Sequence, residues 1–355
     1  LALLVALGNR RGSRPAARRL LVTQSLSLAA LVAGTMILLL RTGDTTLSFT
    51  DLSTIKAASG FPGLIIEALF LAAFLLRLGA FPSQRWLVDG IASSSTPVGM
   101  LLAASSLPLG AYGLVRIAVA IEPNGALQLT VPLLVVALLT LFWGGLSSRA
   151  AQEVRRIAAH ALVGIGGLVL FAVAVFSETS LSGAIYLAFA YLFAAPLLLL
   201  VVGAVCDRAL LAKIQPLAGA AGNAPRLRLF FTLAAATLTG IPLLVGFPAI
   251  FEIVVAGLAA HRYLTAFALL GLLVLTAAWW RLGHRVFTTN PDNAEVVEVA
   301  DSHGSEFYAG WALTAAALIF GIFAGYFVPY TVQGTSLISA RVSAIAPVTH
   351  AKAKK

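Results

Sequence analysis

Charged residues are scarce in this sequence, and cysteine is nearly absent. Asp, Glu, Lys and Arg make up 11% of the 355 residues, whereas a soluble globular protein carries about 25%. Hydrophobic residues make up 59% and the mean hydropathy is +0.95, which excludes an ordinary soluble domain. The single cysteine, Cys206, excludes an intrachain disulfide and a cysteine-ligated zinc or iron–sulfur site.

The sequence also lacks a glycine-rich nucleotide loop in a βαβ setting. We therefore expect no cofactor on this chain, no direct NADH binding and no redox active site. The net charge of +10 could indicate a nucleic-acid partner. The cations, however, fall in alternate loops rather than in a patch with interleaved aromatic residues, so lipid is expected and nucleic acid is not.

Apolar runs of eighteen or more residues recur along the whole chain. Runs of this length without strict alternation are typical of transmembrane helices and exclude a β-barrel. The sequence predicts an all-α, polytopic membrane protein with about nine transmembrane helices. The predicted spans are 18–41, 60–82, 96–121, 127–147, 156–176, 182–206, 228–259, 262–282 and 307–330.

Arginine and lysine concentrate in alternate loops, beginning with five arginines before the first span. By the positive-inside rule these loops are expected to be cytoplasmic. We expect a multi-pass protein of the bacterial plasma (inner) membrane. The tail with Lys352, Lys354 and Lys355 falls on the opposite side by this count. The acidic loop 286–306 is either a solvated loop or a docking site for a neighbouring subunit.

Two spans carry Gly and Pro where a simple membrane anchor would not. One contains Gly79 and Pro82, and the other contains the residues of the run GIPLLVGFP, namely Gly240, Pro242, Gly246 and Pro248. Proline removes a backbone donor and clashes with the preceding turn, so each helix is expected to break there. Paired broken helices in two halves of a transporter indicate inverted repeats and an ion path, whereas an ordinary proline kink is the alternative.

The order of residues between Arg77 and Arg116 carries a family resemblance. Arg77, Pro82, Trp86-Leu87-x-Asp89 and Thr96-Pro97 precede a second apolar run that ends YGLVR. This stretch resembles the ion-translocating, antiporter-like membrane subunits of respiratory complex I. The match is to chain 4 (M-type), with chain 2 (N-type) features later on, and Mrp-type cation/proton antiporter subunits share the fold.

The resemblance implies that the nine spans correspond to helices six to fourteen of a fourteen-helix fold. Residues 1–121 would be the remainder of a first inverted repeat and 122–285 a second repeat. Residues 286–355 would hold the acidic cytoplasmic loop, the last helix and the tail. The opening LALLVALG resembles the end of helix five, so the N-terminal third of the family, with its helix-five glutamate, is expected to be absent from this sequence.

By the same resemblance, Arg77 stands at the position of the lysine in the first half-channel of these subunits. An arginine keeps the charge but does not release its proton. It could pair with a carboxylate or act as an electrostatic gate, or it could reach the lipid interface from a helix end. Glu67 lies ten residues earlier, about 15 Å along a helix, and is a further candidate for the proton path.

Several titratable residues of the family pattern are replaced. Pro108 occupies the position of the family's helix-eight lysine, and Gln84 occupies that of a histidine. Ile91 and Ser93 occupy the positions of a His and a Glu. Trp86, Asp89, Thr96 and Pro97 remain and are interpreted as turn and cap residues.

Three candidates come from the second half of the chain. His160, which follows the family-like EVRRIA, is either a proton relay or a packing histidine. Tyr191 stands where M-type members have histidine. Glu252 lies two residues beyond the family's Lys/Glu position, here Ile250, and a shift of two residues turns a side chain by about 200°.

Three functions follow from these observations. The first is a proton-translocating membrane-arm subunit of a complex I-type NADH (or other donor):quinone oxidoreductase, with the other membrane-arm subunits as partners. The second is a degenerate scaffold subunit that does not pump, which the replaced titratable residues favour. The third is a subunit of an Mrp-type antiporter or a membrane-bound hydrogenase.

Overall fold

The fold is a bundle of membrane-length helices. The structure is a computed structural model that describes residues 2–6, 12–42, 61–119, 127–288 and 299–336. Within these ranges there is no strand, only an isolated bridge between Glu153 and Lys213. Long apolar segments become helices because a helix satisfies its own backbone in lipid, and the all-α prediction is confirmed.

Eleven α-helices and one π-helix follow each other along the described part of the chain. They are α1 (Ala2–Ala6), α2 (Ser13–Thr42), α3 (Phe61–Leu78), α4 (Arg85–Ser93), α5 (Thr96–Gly113) with the π-helix Leu114–Val119, α6 (Thr130–Ala150), α7 (Val154–Val175), α8 (Glu178–Ala209), α9 (Pro225–Thr239), α10 (Gly246–Phe287) and α11 (Gly304–Ile322). Residues 324–336 continue in a helix beyond α11.

The centre of the bundle is α7, which is apolar all round and almost completely buried. Glycines let its neighbour approach closely: a Cβ at Gly144 of α6 would lie 2.5 Å from the Cα of Gly164. A Cβ at Gly167 would lie 2.4 Å from the backbone nitrogen of Leu141. Small residues at such contacts are what brings helices together in a membrane, where lipid is as apolar as the side chains.

The first predicted break is confirmed between α3 and α4. Gly79 adopts a φ of +79°, which only glycine takes up at little cost. Ala80 N–H donates to Leu75 O at 3.0 Å and Gly79 N–H to Leu76 O at 3.3 Å, a Schellman ending. Phe81 N–H is satisfied by Thr140 Oγ1 of α6 at 3.0 Å, so the irregular backbone is paired inside the protein.

The second break is built in the same way between α9 and α10. Gly240 has a φ of +77°, Ile241 N–H donates to Ala236 O at 3.0 Å and Gly240 N–H to Thr237 O at 3.4 Å. Val245 N–H, beyond the break, donates to an α11 carbonyl, that of Ala317, at 3.0 Å. The two interruptions therefore share one hydrogen-bond pattern, while the division of the chain into inverted repeats stays a prediction.

The long helix α10 contains two passes. His261 has non-helical angles, φ −143° and ψ 65°, and a Cβ at Gly257 would lie 2.6 Å from Thr265 Oγ1. Residues eight apart in a straight helix are about 12 Å apart along the axis, so the chain reverses at His261. This reversal is where the sequence places the boundary between the spans 228–259 and 262–282.

Seven helices in the described ranges are long and apolar enough to cross a membrane. With α10 counted as two passes and α3 with α4 as one, the described chain crosses the bundle nine times, as predicted. The segment around Trp86 and Asp89 is corrected, however. These residues lie in the helix α4 rather than in a turn, and Asp89 there binds two arginines.

The Thr96 prediction is corrected as well. Ser95 occupies the N-cap of α5, whereas Thr96 Oγ1 donates to Asp207 at 2.8 Å and accepts from Arg155 at 2.6 Å. Arg155 also contacts the Asp207 carboxylate at 3.0 Å. These bonds tie the starts of α5 and α7 to the end of α8 at one end of the bundle.

Candidate functional site

Arg77 lies in the last turn of α3, directly before the first break. Its guanidinium is half-buried and its Nη1 donates to Gln24 Oε1 of α2 at 3.4 Å. It faces a cavity of about 190 Å³ that is also lined by Ser105 and Ser106 of α5. Three uncharged polar side chains, Gln24, Ser105 and Ser106, line this cavity together with apolar ones, and such polar groups can hold water.

The partner of Arg77 lies well inside α2. Gln24 is eleven residues into α2, about 16 Å from the helix start. The interpretations of Arg77, as an interior charge and as a side chain that reaches the lipid interface, both stay predictions. The part of Arg77 in a proton path stays a prediction as well.

Glu67 is fully buried in the same helix but is not brought next to Arg77. The two residues are ten positions apart, which keeps their backbones about 15 Å apart along the straight α3. The structure places Glu67 nearer the end of α3 that lies away from the break.

Apolar packing borders the Arg77 cavity on the side of the break. A Cβ at Gly110 of α5 would lie 2.8 Å from Leu78 Cβ and 3.1 Å from the Leu78 backbone nitrogen, so α5 passes directly over the end of α3. Pro108 lies two residues before this contact, inside α5. The chain offers no titratable side chain at this position.

His160 lies near the beginning of α7 and is half-buried. Its Nδ1 is buried without a hydrogen-bond partner among the described residues. Arg156, one turn earlier, and Asp89 act on it electrostatically. His160 therefore stands beside the charged end of the bundle rather than beside the Arg77 cavity.

Tyr191 is fully buried in the middle of α8. It lies thirteen residues from the helix start at Glu178, about 20 Å along the axis. Its hydroxyl has no hydrogen-bond partner within the described ranges. A buried phenol normally finds a hydrogen-bond partner, and a role of Tyr191 in a proton path stays a prediction.

Glu252 lies two turns beyond the second break and belongs to a small polar group. Its carboxylate interacts with the Ser182 hydroxyl of α8, and Ser182 Oγ is 2.8 Å from Thr331 Oγ1. One turn further along α8, Tyr186 donates to Phe320 O at 2.7 Å. We call Ser182, Tyr186, Glu252 and Thr331 the Glu252 cluster.

Sequence reasoning missed the other members of the Glu252 cluster. Ser182 and Tyr186 are four residues apart in an apolar helix, a spacing that places both on one face, and this was the available signal. The contact with Thr331 joins elements 149 residues apart in sequence, which a single sequence does not reveal.

Ile250 occupies the space beside the second break. Its side chain is 7% exposed, and a Cβ at Gly240 would lie 2.9 Å from Ile250 Cδ1. An apolar residue thus fills the turn in which the resembled subunits carry Lys or Glu. The site consists of two polar regions, the Arg77 cavity and the Glu252 cluster, each close to a helix break.

Known proteins resemble this chain both in sequence and in fold. A family model described as NADH:quinone oxidoreductase/Mrp antiporter, transmembrane, matches residues 1–276. A relative named NAD(P)H-quinone oxidoreductase chain 4, from Microcystis aeruginosa, is 25% identical over 312 residues, 86% of this chain and 56% of that protein. One from Nostoc sp. is 29% identical over 249 residues, 69% of this chain and 44% of that protein.

Solved structures share the fold over most of this chain. A chain of respiratory complex I from Thermus thermophilus superposes with a TM-score of 0.87 at 22% identity, covering 96% of this chain and 72% of that one. A chain of the Mrp complex from Dietzia sp. gives 0.81 at 19% identity, with 96% and 71% covered. This chain spans about half the length of the curated relatives it matches.

Proposed function

This chain belongs to the NADH:quinone oxidoreductase/Mrp antiporter transmembrane family, and from that premise we propose that it is an antiporter-like subunit in the membrane arm of a complex I-type quinone oxidoreductase. The relatives named chain 4 of NAD(P)H-quinone oxidoreductase support this assignment. Its partners are then the other membrane-arm subunits. In such a complex donor oxidation and quinone reduction take place elsewhere, and this chain contributes to proton movement.

The observation that carries the proposal is the pair of helix breaks with ionisable residues beside them. Arg77 precedes the first break and Glu252 follows the second. In this scheme Glu252 takes up and releases a proton, with Ser182 and Thr331 orienting its carboxylate. Arg77 keeps its proton and acts as a fixed positive charge in a cavity that can admit water.

The test is proton pumping by the whole complex in sealed vesicles. Glu252→Gln removes the titrating carboxyl but keeps the size and much of the hydrogen bonding, so we expect fewer protons moved per quinone reduced, with quinone reduction retained. Glu178→Gln is the matched control, because Glu178 lies in the same region of α8 but outside the Glu252 cluster. An unchanged proton yield in Glu252→Gln would contradict a proton role for this residue.

A second candidate function is a scaffold that fills a place in the membrane arm without pumping. Pro108 and Ile250 favour it, because apolar side chains occupy both positions where the resembled subunits carry titratable groups. A scaffold predicts that neither Glu252→Gln nor Arg77→Gln changes the proton yield, while deletion of the chain impairs assembly.

A third candidate, a subunit of an Mrp-type cation/proton antiporter or a membrane-bound hydrogenase, is supported by the fold shared with the Mrp complex chain. The genes beside the one encoding this chain distinguish the candidates: quinone-reductase, Mrp-type or hydrogenase genes.

We also propose that the arginine-rich end of the bundle faces the cytoplasm of a bacterial inner membrane. The support is the asymmetry of basic residues between the two ends, which the positive-inside rule relates to orientation. The ion pairs of Arg19 and Arg156 with Asp89, which bring the starts of α2 and α7 together, support this proposal.

A further inference from the structure

A cluster of arginines lies where α6 and α10 end. Arg149, Arg281 and Arg285 line a cavity of about 350 Å³ together with Trp280. Within the described ranges none of the ion pairs involves these three arginines. Three like charges at such a site repel one another, so the cluster is expected to bind an anion.

One of these guanidiniums is fixed in place by backbone groups. Arg281 Nη2 donates to Ser148 O at 3.1 Å and to Ala151 O at 3.2 Å, both at the end of α6. Its Nε is buried without a hydrogen-bond partner in the described structure. Arg281 is therefore fixed against the end of α6, and these two bonds use only its Nη2.

An apolar groove adjoins this cluster. A cavity of about 290 Å³ lies between α9 and the second half of α10 and shares Trp280 with the arginine cluster. The groove exists because small side chains, among them Thr232, Ala235 and Gly283, face each other across the two helices. The surface that lines it is mostly apolar.

The groove has the length of a single membrane leaflet. It extends from Arg228, near the start of α9, to Ile241 in the second break. The helical part of this path, Arg228 to Thr239, measures about 16 Å, and half of a hydrocarbon core is about 15 Å. A chain lying in it would begin at the basic end and finish beside the break.

We propose that the arginine cluster and the groove together bind one anionic phospholipid. The phosphate lies among Arg149, Arg281 and Arg285, since guanidinium groups match phosphate geometry, and an acyl chain fills the groove beneath Trp280. Basic pockets between helices on the cytoplasmic side suit anionic headgroups, and tryptophan is common at this depth. The bound chain would support the half-helix α9 next to the second break.

The test measures phospholipid retained by the purified, delipidated complex after incubation with micelles of phosphatidylglycerol or phosphatidylcholine. We expect preferential retention of phosphatidylglycerol. The triple variant Arg149→Gln, Arg281→Gln, Arg285→Gln should lower its affinity by roughly 100-fold, from about fivefold for each basic residue near a membrane surface. The matched control is Arg14→Gln, Arg18→Gln, Arg85→Gln, which removes the same charge from exposed positions at the same end and should change little.

A second variant separates a lipid from a free phosphate. Ala235→Phe fills the groove without changing any charge, and displacing about two methylene groups should weaken retention about tenfold or more. Ala315→Phe, on an exposed face of α11, is its control. Loss with the triple variant but not with Ala235→Phe would mean binding of the phosphate group alone and would overturn the proposal.

Two other results would also overturn it. One is equal retention of both lipids with no effect of the arginine substitutions. The other is a cryo-EM map of the complex in which a helix of a neighbouring subunit, rather than acyl-chain density, occupies the groove.

Discussion

At the scale of single residues, Asp89 is the charged side chain with the most structural consequence. It lies in α4 and binds Arg19 of α2 and, at 2.8 Å, Arg156 of α7. Its side chain is 12% exposed, against 54% and 39% for the two arginines. One carboxylate thus pairs with two cations and connects three helices.

Asp89→Asn removes this negative charge and leaves both arginines without it. Breaking a fully buried ion pair costs several kcal/mol. Because the two arginines here are partly solvated, we expect the variant to lose about 1–3 kcal/mol of unfolding free energy. The measurement is thermal unfolding in detergent, compared with Glu153→Gln. That control removes only a more exposed pair with Arg156 and should change stability by about 0.5 kcal/mol or less. Equal effects of the two variants would refute the central role of Asp89.

The identity of the candidate residues could be predicted from the sequence, but their surroundings could not. Arg77, His160, Tyr191 and Glu252 stand out because titratable groups are rare in apolar spans. What faces each of them depends on packing between distant helices. The arginine at position 77 meets Gln24, 53 residues away, and nothing in a single sequence pairs these two.

At the scale of elements, the helix breaks show which local signals determine structure. Gly79 and Gly240 end their helices with the same pair of backbone bonds because both take up positive φ. The prolines follow the glycines, where they cannot extend the helix. These signals are local, so the sequence predicted both breaks. Pro248, by contrast, lies inside the first turn of α10, where proline is tolerated.

The short helix α4 was not predicted because its signal is mixed. It follows a proline and has only nine residues, so neither length nor a clear cap indicated a helix. It forms because Trp86, Leu87 and Ile91 bury their side chains completely, or nearly so, against neighbouring helices. Tertiary packing rather than helix propensity explains this element.

Gly240→Ala tests the requirement for glycine at the second break. A left-handed conformation costs a non-glycine residue about 1–2 kcal/mol, and the added Cβ would lie 2.9 Å from Ile250 Cδ1. We expect a loss of about 1–3 kcal/mol from these two effects, measured by thermal unfolding. Gly325→Ala is the control, because a Cβ there meets nothing within 4 Å. A neutral Gly240→Ala would show that the break does not depend on this glycine.

At the scale of the whole molecule, the contacts sort the helix ends into two groups. Arg208 binds Glu306 and donates to Ala300 O at 2.6 Å, which joins the end of α8 to the start of α11. At the other end, Thr335 Oγ1 donates to Glu178 O at 3.3 Å. The helical segment 324–336 therefore ends opposite the arginine-rich loops, as the alternation of spans predicts.

This arrangement leads to a prediction on membrane orientation. In a Cys206→Ser background, Lys213→Cys places one exposed thiol at the arginine-rich end and Gln333→Cys places one at the opposite end. If the basic end faces the cytoplasm, a membrane-impermeant maleimide should label Lys213→Cys only in inside-out vesicles. It should label Gln333→Cys only in right-side-out vesicles or intact spheroplasts. The reversed pattern would place the arginine-rich end outside. Labelling of both positions from one side would contradict the number of crossings between residues 213 and 333, because the structure places an odd number of passes between them.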